Sequence, residues 1–151
     1  MPLWTFGHSA GAFTAEEKKD LAQAITKLYA DYGLPPFYVN VQFIPLATDD
    51  LFYGGHPHPK FTMINIYHIA QNVGKMPEER QQAFLRGVDN ILTPRMTKKG
   101  LGWEYFVVEG PRQLWKIDGL VPPPTGSEME KLWHKHNRPV LASESGSESK
   151  L

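Results

Sequence analysis

Two stretches of helical periodicity repeat each other at a fixed distance, and this repeat limits the possible folds more than anything else in the chain. Leu21, Ile25, Leu28 and Tyr29 make one apolar stripe. Phe84, Val88, Ile91 and Leu92 make another, at a constant shift of about 63 residues. The first helix opens at TAEE, where Thr14 is the N-cap and Glu17 completes a capping box. The second opens at MPEER, with Pro77 in a first-turn position and two acids at the positive end of the helix dipole. Strand-like runs at 3–10, 37–45, 61–70 and 103–110 surround the helices. In the second run Tyr38, Asn40 and Gln42 alternate with Val39, Val41 and Phe43.

The chain therefore reads βαβ, linker, βαβ, a duplication of pattern rather than of identity. A right-handed crossover makes the two strands of each unit parallel. The predicted fold class is α/β, with tandem βαβ units forming one four-stranded sheet and both helices on one face. The other face would need a cover, and small proteins often supply it by oligomerising. The domain is placed at 1–141, with halves at about 2–45 and 61–110. Residues 46–60 form a turn-rich connector, and 119–141 a C-terminal arm with a Pro-rich turn, a short helix and Trp133. Residues 142–151 are too polar to bury a core and read as a disordered tail.

Composition excludes several partners. Sixteen basic and sixteen acidic side chains cancel without a basic stripe, which argues against nucleic acid and anionic membranes. No apolar run is long enough to span a bilayer, and no basic-then-apolar leader opens the chain. Cysteine is absent, which removes disulfides, thiolate nucleophiles and Cys-ligated zinc. His56-Pro-His58 and His134-Lys-His136 lack an acidic partner at metal-ligand spacing. The glycines of YGGHPHPK lack the strand-to-helix setting of a phosphate loop. No metal or cofactor is expected. The chain ends in Ser149-Lys150-Leu151, a receptor-read peroxisomal address. The expected location is thus peroxisomal, through an import receptor, and otherwise cytoplasmic.

Pro2 is the residue with distinctive chemistry. A strand proline has no N–H for a ladder, but at position 2 that loss costs little. Once Met1 is removed, Pro2 presents a secondary amine. A free α-amine titrates at about 7.7–8.0, so modest surroundings make it a base or an acid at working pH. Burial among Leu3, Trp4 and Phe106 is expected to favour the neutral base.

With Pro2 on the first strand and a doubled βαβ pattern, the sequence resembles the tautomerase superfamily. Within it, the chain is most similar to the branch of cis-chloroacrylic acid dehalogenase and its fungal relatives. The markers are Pro2, AQAIT (Ala22 to Thr26), VQF (Val41 to Phe43), FYGG (Phe52 to Gly55), WEYF (Trp103 to Phe106) and the GLVPPP turn. The resemblance covers about residues 2–139. It implies a homotrimer with the catalytic proline in a pocket near subunit boundaries, and a small-molecule substrate.

On this resemblance Pro2 is the acid/base for proton transfer on a small 2-oxo acid, enol or unsaturated carboxylate. Tyr105, in WEYF, falls where the family places a tyrosine that activates water or polarises substrate. The family's water-activating glutamate falls near Ile117, and Asp118 is the adjacent carboxylate. Tyr29 stands in place of the family histidine on the first helix. After the third strand the dehalogenases carry two arginines that clamp the substrate carboxylate. Here that stretch reads HIAQNVG, and the first arginine of the chain is Arg80. His68, Gln71 and Asn72 are the hydrogen-bonding substitutes, and Arg112 could supply a cation from another position. Two alternatives stay open. One is hydratase, dehalogenase or decarboxylase chemistry with a cationic Pro2, and the other is a non-catalytic small-molecule-binding trimer.

Overall fold

The computed structural model describes residues 1–69 and 73–141. Gln71, Asn72 and the tail ending in Ser149-Lys150-Leu151 lie outside them. The elements are β1 (Pro2–Ser9), α1 (Ala15–Ala30), β2 (Asn40–Leu46), β3 (Phe52–Tyr53), β4 (His56–Pro57), β5 (Phe61–His68), α2 (Glu78–Lys99), β6 (Gly102–Glu109) and α3 (Glu128–His136).

Four strands form one sheet in the order β2-β1-β5-β6. β1 is parallel to β2, β5 is parallel to β6, and the two units meet through the antiparallel pair β1/β5. The duplicated pattern thus becomes two parallel βαβ units lying side by side. Thr14 caps α1 as the sequence requires: its hydroxyl accepts from the Glu17 N–H, and the Glu17 carboxylate accepts from the Thr14 N–H at 2.8 Å. α2 ends at Gly100 in the left-handed region (φ 62°), where glycine carries no Cβ penalty.

The strand ends differ from those expected from the sequence. β2 begins at Asn40 rather than residue 37, because Pro36–Tyr38 turn as a 3-10 helix that buries the Tyr38 ring. β5 ends at His68. The connector contains a short hairpin, β3/β4, turned by Gly54 and Gly55 at φ 58° and 84°.

Trp4, Phe6, Ile64 and Ile66 of the sheet pack against Leu21, Ile25 and Tyr29 of α1 and Phe84, Val88, Leu92 and Met96 of α2. Both apolar stripes read from the sequence therefore line the core. The opposite face carries Ile44, Met63, Tyr67, Phe106 and Val108, which remain 37–49% exposed. The arm folds back onto its own chain: Trp133 is buried beside Phe37 and Tyr38, and the Asn137 side chain accepts the Phe37 N–H at 2.8 Å. No helix of the described residues is long and apolar enough to cross a membrane.

Candidate active site

Strand register brings together the central pair of residues. Pro2 lies directly across the antiparallel ladder from His68, as Trp4 lies across from Ile66 and Phe6 from Ile64. Side chains alternate along a strand, so all six point to the helix-covered face. Pro2 and His68 are buried there at the end of the sheet. α1 delivers Tyr29 from its last turn, and α2 delivers Phe84, with Arg80 one turn before it. Together with Met1 and Leu34 they line a cavity of about 350 Å³. That is the scale of a small-molecule site.

A hydrogen-bond chain runs from the core to the cavity wall. The Trp4 indole N–H donates to the Tyr29 hydroxyl at 2.9 Å, and that hydroxyl lies 2.5 Å from His68 Nε2. Phe84 closes over the imidazole, with ring centroids 4.9 Å apart.

The electrostatics oppose positive charge at this end of the sheet. Burial, and after it the terminal amine, lowers the His68 pKa to about 4. Burial, followed by the charge of Arg112, lowers the Met1 amine to about 4, with Glu130 pulling the other way. Burial raises the Tyr29 phenol, so it stays protonated and able to donate.

These shifts carry a consequence for stability. His68 in the unfolded chain binds a proton near 6.5 but in the fold only near 4, so acidification favours the unfolded state between these values. Its contribution is complete above about pH 6.5 and is lost as pH falls toward 4, by about 2–3 kcal/mol. Denaturant titrations at pH 7.5 and 4.5 should show that fall, and His68→Leu should flatten the His68 component. An unchanged slope in His68→Leu would mean that His68 does not titrate in this way.

Other sequence-chosen residues stand elsewhere in the chain. Tyr105 is on β6, and its hydroxyl donates to Asp89 Oδ1 of α2 at 2.9 Å. Burial, with that bond, pushes its pKa up to about 12. Asp118 is exposed in the tight turn closed by Ile117 and Leu120, at φ 49°. Arg112 donates to the Pro123 carbonyl, lies 3.9 Å from Glu130 and sits over the Trp115 ring. None of the three lines the Pro2 cavity of the single chain.

The expected apolar surroundings of Pro2 also need correction. Phe106 is on the uncovered face, 49% exposed, and Leu3 alternates to that same face. Leu34, Ile69 and Phe84 supply the apolar wall instead. Sequence reasoning missed Arg80, which lines the cavity and makes no ion pair among the described residues. Continuing the Phe84 stripe back by four residues would have found it. Among the described residues no group of three or more histidine, aspartate or glutamate side chains could hold a metal.

Residues 1–138 match the family model Tautomerase_3, described as "Putative oxalocrotonate tautomerase enzyme". Among solved structures, a "probable enzyme" from the thermophilic fungus Aspergillus fumigatus is 50% identical, with a TM-score of 0.89 over 93% of this chain and 97% of that one. RhCC from Rhodococcus jostii RHA1 is 37% identical, with a TM-score of 0.88 over 92% and 99%. N1, a member of the cis-3-chloroacrylic acid dehalogenase family, shares the fold at 20% identity, with a TM-score of 0.70 over 99% of both chains. A search of curated proteins finds no match.

Proposed function

The chain belongs to the Tautomerase_3 family of the tautomerase superfamily, and from that premise we propose that it is an enzyme whose Pro2 amine moves a proton on a small 2-oxo acid, enol or unsaturated carboxylate. The observation that carries this reading is the placement of Pro2. It ends a strand, faces His68, and lines a cavity that also holds Tyr29 and the cation Arg80.

With Met1 in place the Pro2 nitrogen is an amide and has no lone pair to offer. Removal of Met1 makes it a secondary amine in surroundings that already hold the Met1 amine far below its usual range. The buried, partly apolar lining and the Arg112 charge favour a neutral amine, hence a base rather than an acid. This supports proton abstraction and return over hydration or dehalogenation by a cationic proline. Loss of Met1 also removes the carbonyl that accepts the Ile69 N–H at 3.1 Å, leaving a backbone donor beside the amine.

Tyr105 and Asp118 enter this proposal through assembly. The exposed apolar face formed by Ile44, Met63, Tyr67, Phe106 and Val108 is suited to a neighbouring copy. In the proposed homotrimer, Tyr105 and Asp118 would serve a site that includes a neighbouring subunit. Peroxisomal delivery through Ser149-Lys150-Leu151 is part of the same proposal. A fluorescent fusion that stays cytosolic with the native ending would remove it.

The experiment is mass spectrometry of protein made in a eukaryotic host, followed by turnover. The intact mass should lack methionine and the native mass should be three subunits of 17.1 kDa. The same sample should convert the enol form of phenylpyruvate to the keto acid. A chain that keeps Met1 and turns over no enol or unsaturated acid would leave a binding protein instead.

A further inference from the structure

We propose that His68 is a catalytic electrophile: its Nδ1–H, with the tautomer set by the chain Trp4–Tyr29–His68, donates a hydrogen bond to the substrate oxygen on which charge develops as Pro2 takes a proton from carbon. The inference rests on the reading of Pro2 as the base, and assigns to His68 more than general substrate contact.

The tautomer follows from hydrogen-bond accounting. The indole of Trp4 can only donate, so the Tyr29 oxygen accepts at 2.9 Å. The Tyr29 proton then needs an acceptor, and His68 Nε2, 2.5 Å away, is the hydrogen-bond acceptor within reach among the described residues. Reversing this bond would leave a phenolic proton without a protein partner in a residue only 5% exposed. His68 Nε2 is therefore unprotonated, and the ring proton resides on Nδ1. Nδ1 has no hydrogen-bond partner among the described residues, and the residue lines the cavity opposite Pro2.

The imidazole also remains neutral. Burial and the neighbouring amine hold it below its usual range, and the cationic side chain on the cavity wall is Arg80. Phe84 packs edge-on against it from α2, at an interplanar angle of 63°, and Tyr29 reaches it from α1. A neutral imidazole is a very weak acid, so it polarises a carbonyl without giving up its proton. In the forward step the Pro2 lone pair takes the proton from the carbon beside the carbonyl. The C–H electrons become the new C=C bond, and the carbonyl π electrons move to oxygen. The ammonium on Pro2 returns its proton to oxygen or to the far carbon, and no co-reactant is needed. Fixed donors aimed at a developing oxyanion are each worth a factor of about 10²–10³ in rate. Trp4 lies outside the cavity lining, and the Tyr29 hydroxyl is turned to His68 Nε2, so both position His68.

Two measurements on the full chain test this. Two-bond ¹H–¹⁵N spectra at pH 7 should show a protonated Nδ1 and a bare Nε2 at His68, and the opposite tautomer overturns the inference. The second measures ketonisation of the enol of phenylpyruvate by two variants. His68→Asn places its amide near the Nδ1 position, whereas His68→Gln places it near Nε2 and keeps the contact with Tyr29. His68→Gln should lose about 10²-fold in kcat with KM within about threefold, and His68→Asn should recover to within about tenfold of wild type. Equal kcat in His68→Gln and wild type removes the role, provided that Pro2→Ala in the same assay abolishes turnover. If wild-type turnover does not depend on Pro2, the enzymatic reading itself fails and takes this inference with it.

Discussion

Replacing Pro2 by alanine should lower kcat/KM for enol ketonisation by about 10²–10⁴-fold, the range over which a positioned proton-transfer group acts. The change is small in structural terms. Residue 2 is the first of β1, and proline gives no N–H to the ladder, so alanine removes no backbone hydrogen bond. Methionine removal ahead of alanine still leaves an amine, but a primary one that rotates. The pyrrolidine ring fixes the position of the nitrogen on a residue paired with His68, and supplies apolar surface that helps to keep the amine neutral. The intact mass of the variant must show methionine removed, and its unfolding midpoint should match wild type. With both controls met, a variant that retains wild-type kcat/KM on every substrate found would end the role of Pro2 as base.

The fold was largely legible because it rests on periodicity. The two stripes, the capping box and the alternation in β2 are local patterns with one geometric solution each, and the parallel βαβ units follow from chain handedness. The site was legible in part. Pro2 could be singled out by its position, and Tyr29 by the resemblance that sets it in place of the family histidine. That both share a cavity with His68 depends on the β1/β5 register, a pairing between the two halves that no local signal specifies. Arg80 was passed over because a charged residue in a helix's first turn ordinarily faces solvent. The surroundings of Pro2 were misassigned for a related reason: Phe106 lies on a strand of the same sheet, but alternation sends it to the uncovered face. Asp118 reads from the sequence as a turn residue before Gly119, and its positive φ fits that reading.

The largest stability effect is expected from Trp133→Ala, which should cost about 3–5 kcal/mol at fixed protein concentration. The arm has little regular structure apart from α3, a helix of 9 residues that would not be stable alone. Two kinds of contact tie it to the domain, ring packing and a hydrogen bond to Phe37, and a third closes the arm on itself. The Trp133 ring is buried against Phe37 and Tyr38, at centroid distances of 6.0 and 6.3 Å. Its indole N–H holds the Val140 carbonyl, and the Asn137 side chain accepts the Phe37 N–H at 2.8 Å. Removing the ring deletes the first and leaves the Val140 carbonyl without its donor, so the transfer and cavity losses add. For a chain of this length the melting temperature should drop by about 6–20 °C. Trp133→Phe keeps most of the apolar contact and loses the hydrogen bond, so its cost should be about 1 kcal/mol. The arm also bears on the site. Arg112 and Glu130 act on the terminal amine, and Glu130 lies on α3, held by the Gly126 N–H. An arm loosened by Trp133→Ala should therefore change the pH dependence of turnover as well as stability, whereas Trp133→Phe should leave that pH dependence in place. If Trp133→Ala unfolds at the wild-type denaturant midpoint, the arm does not dock through this residue and its influence on the amine is lost with it.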